Sequence, residues 1–389
     1  MHLLDSYALQ AGQKVDRPDV LEKFYYIPFE KYITFQPFSK PSKNFDYFIE
    51  VLELLSPVLE KNNIKIVQLG AKDEKPFPFC YHTQGTTSIN QVAFIVKNSL
   101  LHLSVDTFST ILASRYDVPI VCLYSNNYLS SVKPYFGTAE KQILLEPNRN
   151  GFLPSFSYEE QPKTINTIKP ETIAAGVCKL LNLEFNYSFK SLSMGLNYTN
   201  TIIEQIPNVL INPASLNLQF INVRMDLLFN EEKLLEQLSI CPCSILTNKP
   251  IKEEILRSRR PHVKEIFYEL DDNHDPKFVS LLHKLAIPYG LFTYFTNEQW
   301  NKFKLDYMDF NLAHYKKTER PDFIDKKDIK NIYYKSNKFT LSNGKIYISK
   351  NDWLLDRAVK DFRDNLQSVT DSNDFWKESE YFYLLEKTD

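Results

Sequence analysis

A loop rich in lysine and serine follows the first β-type run of the sequence, Tyr32–Phe35. This loop, residues 36–45, holds Ser39 and Lys43 together with a second serine and a second lysine. Side chains of these types bind a phosphate or diphosphate through hydroxyl donors and a point charge. The same composition is also typical of a solvated loop with an ordinary serine cap, and both interpretations stay open for the loop taken alone.

A second polar segment, residues 103–110, passes directly from an apolar run into a helical pattern. Asp106, Thr107 and Ser109 lie where the helix would begin. Asp106 can cap the helix and leave the next N–H groups directed at an anion, or its carboxylate can accept hydrogen bonds from sugar hydroxyls. A plain capping aspartate is the simpler alternative.

Strands and helices alternate at short intervals around these segments. The alternation is typical of βαβ units and predicts an α/β fold with a parallel sheet. In such a sheet, ligands bind beyond the carboxyl ends of the strands, where helix N-termini present free N–H groups. The predicted strands are 32–35, 64–69, 100–105 and 119–124, and the predicted helices are 45–59, 88–97 with Ser88 as N-cap, 107–116 and 170–181.

The second half of the chain repeats the alternation less regularly after a polar segment, 183–205. We therefore predict two Rossmann-like domains, with a connector at 1–30, a first domain at 31–190 and a second at 191–389. Asn343-Gly344 supplies the positive φ angles of a hairpin turn within 338–349, and the tail from Asp352 is predicted to be helical. The predicted strands are 208–211, 218–223, 244–247, 263–268 and 289–294, and the predicted helices are 231–238 and 278–285.

Composition narrows the class of protein. Lys plus Arg number 46 and Asp plus Glu 48, a net charge of -2, which argues against a general nucleic-acid coat. The N-terminus lacks a signal-peptide pattern, and no run of about 18 apolar residues predicts a membrane span. The five cysteines are odd in number and scattered, which is typical of a reducing compartment and favours a cytoplasmic location.

Together, the polar segments and strands form a recognisable series. The series runs from the Ser39–Lys43 loop through Ile66–Gly70, then Gly85–Ser109, and ends with Val118–Tyr124. It resembles the donor-binding domain of the ADP-heptose:lipopolysaccharide heptosyltransferase family, glycosyltransferases of the GT-B type. The resemblance covers about residues 30–183 and implies that the first domain binds a nucleotide-sugar.

The resemblance also implies roles for single residues. Ser39 and Lys43 would contact the donor diphosphate or sugar, and Asp106 would bind the donor sugar. Thr107 and the N–H groups that follow it, including that of Ser109, would hold the phosphates. The loop after Gly70 would meet the ribose and base.

Three positions depart from the family pattern. Members often carry an acidic residue directly after the glycine at position 70, whereas here Asp73 and Glu74 come slightly later. Where members usually have a glycine and a histidine after the aspartate, this chain has Phe108 and Ile111. A phenylalanine at that helix start narrows the close backbone approach that glycine allows.

The second domain is expected to recognise the acceptor, as a relocated and permuted partner domain or as an unrelated module. Sugar transfer needs a base for the acceptor proton and cationic or N–H groups for the departing diphosphate. Since lysine and a helix dipole can neutralise that diphosphate, we expect neither a metal nor another cofactor. The candidate bases are Asp226, Asp271, Asp272 and His274, and a polar surface turn is the simpler interpretation of residues 271–275.

Three functions therefore stay open. The first is a glycosyltransferase that acts on a glycan, a lipid-linked acceptor or another hydroxyl. The second directs the same chemistry at a nucleic-acid base, which the arginines at 257, 259 and 260 leave open. The third is a binding protein that retains the fold without catalysis, which Phe108 and Ile111 favour.

Overall fold

The computed structural model describes residues 1–17, 19–308, 310, 312–315, 320–325 and 327–388. The chain divides into two compact units, Met1–Ser191 together with Thr388, and Leu192–Lys387. Both units contain parallel strands connected through helices, which confirms the predicted α/β class. No helix in the described ranges has the length and apolar character to cross a bilayer.

The described residues of the first unit form a six-stranded sheet in the order β3-β2-β1-β4-β5-β6. All its pairings are parallel, and this order is that of a doubly wound Rossmann sheet. Each strand predicted for this half is present, whereas the edge strands β3 and β6 were not predicted. The strands are β1 Tyr32–Gln36, β2 Lys65–Gln68, β3 Cys80–His82, β4 His102–Val105, β5 Ile120–Leu123 and β6 Gln142–Leu145.

Helices pack on both faces of this sheet. On one face Phe35 of the sheet packs against Phe48, with ring centroids 4.9 Å apart. On the other face Val92 and Ile95 pack in one buried cluster with Ile120. Both faces are apolar because helices cover both, as expected for a parallel sheet. The helices are α1 Leu3–Ala11, α2 Phe48–Lys61, α3 Ile89–Lys97, α4 Phe108–Arg115, α5 Leu129–Val132 and α6 Pro170–Leu180.

The second unit contains, in its described residues, an eight-stranded sheet in the order β13-β12-β11-β10-β9-β8-β15-β16. Its pairings are parallel except for the hairpin β15–β16, where Asn343 and Gly344 have φ of 48° and 75° as the turn prediction requires. Its strands are β8 Ile202–Gln205, β9 Ile221–Arg224, β10 Cys243–Thr247, β11 Val263–Glu269, β12 Tyr289–Thr293, β13 Leu312–His314, β15 Lys338–Ser342 and β16 Lys345–Tyr347. Its helices include α7 Glu231–Ile240, α8 Glu253–Ser258, α9 Pro276–Lys284 and α10 Asn297–Phe303.

One predicted strand of the second unit is wrong. Residues 208–211 form a loop, and the strand lies earlier, at Ile202–Gln205. The apolar run at 208–211 has the stronger β pattern, whereas the true strand ends in Glu204 and Gln205. These two polar side chains are buried because Arg224 pairs with Glu204 and Gln237 bonds to Gln205, contacts that the local sequence does not show.

The prediction of a helical tail is also wrong. Two short helices, α11 Lys350–Leu354 and α12 Asn373–Trp376, are followed by the strand Phe382–Lys387. The aromatic and aliphatic residues 382–385 favour a strand, and their burial in a second sheet overrides the charged composition of the tail. This four-stranded sheet has the order β17-β14-β18-β7, with β7 Phe189–Met194, β14 Ile332–Ser336, β17 Gln367–Ser368 and β18 Phe382–Lys387.

Candidate functional site

The strand order of the first unit fixes where a ligand site can form. From β1 the chain moves outward to β2 and β3 and then resumes with β4 on the opposite side of β1. The loop after β1 leads to a helix on one face of the sheet, and the loop after β4 leads to a helix on the other face. A crevice therefore opens between the two loops, at the carboxyl ends of these strands. Gln36, at the end of β1, pairs with Ser104 on β4, which sets the predicted loops 36–45 and 106–110 side by side.

Three of the predicted donor-binding residues meet at this crevice. Lys43 Nζ lies 2.5 Å from Asp106 Oδ2, and the two side chains are only 15% and 18% exposed. Ser39 Oγ donates a hydrogen bond to the Asp106 carbonyl oxygen over 3.0 Å. The pair is neutral overall, yet it offers unused ammonium donors and a second carboxylate oxygen at one place. An anion and a hydroxyl group can therefore be bound next to each other.

Buried polar contacts hold Lys43 in this position. The short 3-10 turn Pro41–Lys43 contains Ser42, whose hydroxyl is buried and donates to the Ser157 carbonyl oxygen over 2.8 Å. Asn126 Nδ2 donates to Ser42 Oγ over 2.8 Å, and Ser125 Oγ donates to the Ser42 carbonyl oxygen over 3.0 Å. The loop after β5 thus fixes the loop after β1.

Arg149 extends this support from the end of β6. Its Nη2 donates to the carbonyl oxygens of Ser125 and Asn127, and its Nη1 lies 3.3 Å from Glu146. Arg149, Ser125 and Asn126 were not predicted to take part in the site. The available signal was a polar run directly after a buried strand, which is weak because most such runs are ordinary loops.

Helix α4 begins beside the Lys43–Asp106 pair. Its N-cap is Thr107, whose side chain makes no capping hydrogen bond, so Asp106 is not the cap. The carboxylate of Asp106 is directed to Lys43 instead. The first N–H groups of a helix lack intrahelical partners and favour an anion, and here they begin next to the lysine.

Ser109 has its hydroxyl in the interior rather than at the crevice. It is fully buried, and its Oγ lies 2.9 Å from His102 Nε2. On the other side of the imidazole, His102 Nδ1 lies 2.9 Å from Thr34 Oγ1. These three side chains form a polar chain that connects β1, β4 and α4, and burial lowers the pKa of His102 to about 3.

The buried imidazole predicts a loss of stability in acid. Because the pKa of His102 falls from its ordinary 6.5 to about 3, the unfolded chain binds a proton that the folded chain excludes. The stabilising contribution is therefore complete above pH 6.5 and disappears as the pH falls toward 3. At pH 4.5 the loss amounts to about 3 kcal/mol.

Urea unfolding at pH 7 and pH 4.5 checks this prediction, with His102→Gln as the comparison. Glutamine keeps a polar side chain at the position but does not titrate, so its stability should fall less between the two pH values. Carboxylates that titrate elsewhere affect both proteins equally. Equal losses in wild type and variant would show that His102 does not carry the effect.

The loop after β2 has a tight turn at Gly70. This glycine has a φ of 154°, and a Cβ atom here would lie 2.0 Å from Glu74 Oε2. Glu74 thus folds back onto Gly70, and burial raises the pKa of its carboxyl group. Glu74 Oε2 and Gln84 Nε2 are both buried without a hydrogen-bond partner in the described protein. The resemblance predicts an acidic residue directly after this glycine, whereas here the carboxylate that approaches Gly70 belongs to Glu74, four positions later.

Replacing Gly70 with alanine is expected to destabilise the first unit by about 2 kcal/mol, because the positive φ strains alanine and the buried Glu74 carboxylate has to move away from the new methyl group. Gly151 is the matched control, because it also has a positive φ, 87°, but no atom lies within 4 Å of its Cβ position. Gly151→Ala should therefore cost only about 1 kcal/mol. Thermal unfolding of both variants measures the difference, and similar midpoints would contradict the predicted contact with Glu74.

Two departures from the family pattern lie on the first turns of α4. Phe108 and Ile111 are each 45% exposed, whereas the neighbouring Ser109 and Thr110 are buried. The helix start at the crevice is therefore bordered by apolar surface.

Ser88 forms the predicted N-cap of α3, and the side chain of Gln91 completes a capping box there.

The candidate bases of the second unit have structural partners. Asp226 accepts two hydrogen bonds from Arg224, each 2.8 Å long. Asp271 accepts from the Asn273 N–H over 2.8 Å, and Asp272 accepts from Gln299 Nε2 over 3.1 Å. Residues 271–275 form a turn that leads into α9, with Asp275 as the N-cap.

His274 belongs to a different environment. Its Nε2 lies 2.6 Å from the Tyr307 hydroxyl, and its Nδ1 contacts the Asp271 carbonyl oxygen. The side chain borders a cleft of about 410 Å³ with Val279, Phe303 and Tyr307. Both ring nitrogens are thus occupied within the second unit.

No group of three or more His, Cys, Asp or Glu side chains capable of holding a metal ion occurs among the described residues. The expectation that sugar transfer needs no metal stays a prediction.

No protein-family model matches the chain, and no curated protein matches it. Several solved structures do match. One is Escherichia coli ADP-heptose LPS heptosyltransferase II, which is 16% identical in sequence and has a TM-score of 0.32. The match covers 46% of this chain and 51% of that chain. A glycosyl transferase family 9 protein from Veillonella parvula is 17% identical, with a TM-score of 0.32, and the match covers 46% of this chain and 50% of that chain. The iron-containing dodecameric glycosyltransferase TibC from enterotoxigenic E. coli is 10% identical, with a TM-score of 0.34, and the match covers 42% of this chain and 49% of that chain.

The chain spans about half the length of these solved structures. Over that part it is similar to heptosyltransferases, the family that the sequence resembles.

Proposed function

We propose that this chain is a glycosyltransferase whose first unit binds a nucleotide-sugar donor at the carboxyl ends of β1 and β4. The observation that carries the proposal is the Lys43–Asp106 pair, which lies with Ser39 at the point where the strand order reverses. Lysine and the start of α4 favour the diphosphate, and the carboxylate favours sugar hydroxyls. The site therefore offers complementary groups for both parts of a nucleotide-sugar.

In the proposed reaction, an acceptor hydroxyl oxygen attacks the anomeric carbon of the donor. The bond from this carbon to the diphosphate oxygen breaks, its electron pair stays with the diphosphate, and the hydroxyl proton passes to a base. Lys43 and the N–H groups at the start of α4 would stabilise the charge that develops on the leaving group. Glu74, next to Gly70, would accept hydrogen bonds from the ribose hydroxyls.

A thermal-unfolding screen against ADP, UDP, GDP, CMP and their sugar conjugates tests the donor site. A ligand that binds only the folded protein adds about 2.7 kcal/mol of stability at a hundred times its dissociation constant. We expect one nucleotide and its sugar conjugate to raise the midpoint. If the site uses no metal, the increase will be the same with and without EDTA. No increase with any nucleotide would contradict the proposal.

The non-catalytic alternative requires a separate assay, since such a protein also binds nucleotide. Release of nucleoside diphosphate from the bound donor, in the presence of mixed saccharide acceptors, is expected only of a transferase.

The nucleic-acid alternative gains no support from the arginine cluster. Arg257 pairs with Glu253, and Arg260 donates to the carbonyl oxygens of Leu285 and Ala286, so two of the three arginines are bound within their own unit.

A further inference from the structure

The two faces of the eight-stranded sheet in the second unit differ in chemistry. Strands β8 to β13 follow one another in order, and right-handed crossovers then place their connecting helices on a single face. That face carries the buried apolar cluster, which includes Val223, Ile245 and Ile266. The opposite face is free to carry polar and aromatic side chains.

Aromatic rings gather on the opposite face, near the carboxyl ends of β12 and β13. The centroids of Phe292, Tyr294 and Tyr315 form a triangle with all three separations at 6.0 Å. Tyr315 is 54% exposed and Phe292 is buried, whereas Tyr294 is half-buried, with Lys377 Nζ 5.8 Å from its ring centroid. We call these three residues the aromatic trio.

Glu269 lies beside the aromatic trio. It is the register partner of Phe292 across β11 and β12, so both side chains are on the same face. Two residues earlier on β11, Phe267 is 40% exposed, and its ring packs over Gly290, where a Cβ atom would be 2.9 Å away. A carboxylate is therefore flanked by aromatic surface on both sides.

The carboxyl group of Glu269 has no hydrogen bond or ion pair with any other described residue, although the side chain is half-buried. Burial raises its pKa, and so do the nearby carboxylates of Asp226 and Asp271, while Lys350 and Lys377 act in the opposite direction. Both lysines contact Asp374, at 3.8 Å and 2.8 Å. The carboxylates of Asp374 and Glu269 together balance these two lysines, so the site has no excess of positive charge that would attract an anionic ligand.

We infer that Glu269 and the aromatic trio form a binding site for a neutral saccharide. The exposed ring of Tyr315, which packs on Phe292 and Tyr294, offers flat apolar surface to the C–H face of a sugar. The unpaired carboxylate of Glu269 accepts hydrogen bonds from the hydroxyl groups of the sugar. That this saccharide is the acceptor of sugar transfer rests on the proposed function. The binding of the saccharide itself does not depend on it.

Ligand-detected NMR of the full chain with neutral mono- and oligosaccharides tests the inference. We expect at least one to bind, with affinity reduced by about ten-fold or more in Tyr315→Ala and in Glu269→Gln. Phe323→Ala is the matched control, because Phe323 is an aromatic residue of the same unit that is 44% exposed and lies outside the cluster. Its affinity should equal that of the wild type.

The inference would be overturned if no neutral saccharide bound, if both variants bound like the wild type, or if phosphorylated sugars bound better than neutral ones. The nucleotide screen, repeated on the same variants, separates this outcome from failure of the proposed function. A nucleotide response without saccharide binding would refute only the saccharide site, and the reverse would refute only the donor site.

Discussion

Replacing Lys43 with alanine is expected to weaken the binding of a nucleoside diphosphate by about 10- to 100-fold. The reason is that the variant loses a hydrogen bond to a charged group, which contributes about 1.5–3 kcal/mol. The lysine is largely buried against Asp106, so the variant removes the cation and leaves an unpaired carboxylate beside the phosphates. Isothermal titration at constant ionic strength, with the nucleotide that gives the largest thermal shift, measures this loss.

Lys40→Ala is the matched control for Lys43. It removes the same charge from the same loop, but its side chain is exposed. Long-range attraction between exposed charges is screened by salt, so Lys40→Ala should have little effect at physiological ionic strength. An equal loss in both variants would mean that Lys43 acts through net charge and not by contact.

Asp106→Asn separates the two parts of the donor. The substitution removes a negative charge from the diphosphate site, so affinity for the nucleoside diphosphate should stay the same or rise. The additional affinity for the nucleotide-sugar should disappear, because a carboxylate forms stronger hydrogen bonds to hydroxyls than an amide does. A parallel loss for both ligands would contradict the role given to Asp106.

Replacing Arg224 with methionine is expected to destabilise the second unit by about 3–5 kcal/mol, the cost of breaking a buried ion pair on one side. Arg224 Nη1 lies 2.5 Å from Glu204, and the guanidinium binds both carboxylate oxygens of Asp226. Lys338 lies 3.4 Å from Glu204 and 2.8 Å from Glu378, and these side chains are 9–11% exposed.

Burial alone would raise the pKa of Glu204, but Arg224 and Lys338 hold it below its ordinary value. Without Arg224, two carboxylates would compete for one lysine. Urea unfolding of the full chain measures the effect. Arg257→Met is the control, because Arg257 forms an exposed pair with Glu253 that contributes at most about 0.5 kcal/mol. Equal stability of the two variants would contradict this account of the network.

The first unit could be predicted well from the sequence because its strands are buried on both faces. The run at 119–124 is almost wholly apolar, the run at 64–69 is apolar except for Lys65 and Gln68, and segments with helical periodicity lie between them. In the second unit the sheet has one polar face, and the β8 residues Glu204 and Gln205 are buried only because of distant partners. A pattern of polar residues there predicts a loop, and the strand was missed for that reason.

The candidate site was predicted as separate residues and not as an arrangement. Sequence spacing placed Ser39, Lys43 and Asp106 after their strands, and the strand order then brought them together. Their mutual contact depends on the loops' conformations, which Ser125, Asn126 and Arg149 fix through single polar contacts. Such supports follow no repeated spacing, so the sequence alone gave no reason to select them.

Hydrogen–deuterium exchange with a saturating nucleotide-sugar tests the central claim most directly, because it locates the ligand on the chain. We predict slower exchange in peptides that cover 37–46, 70–75 and 106–110, with no comparable change elsewhere in the first unit. Protection confined to residues 192–387, or no protection with any nucleotide-sugar, would contradict a donor site at the carboxyl ends of β1 and β4.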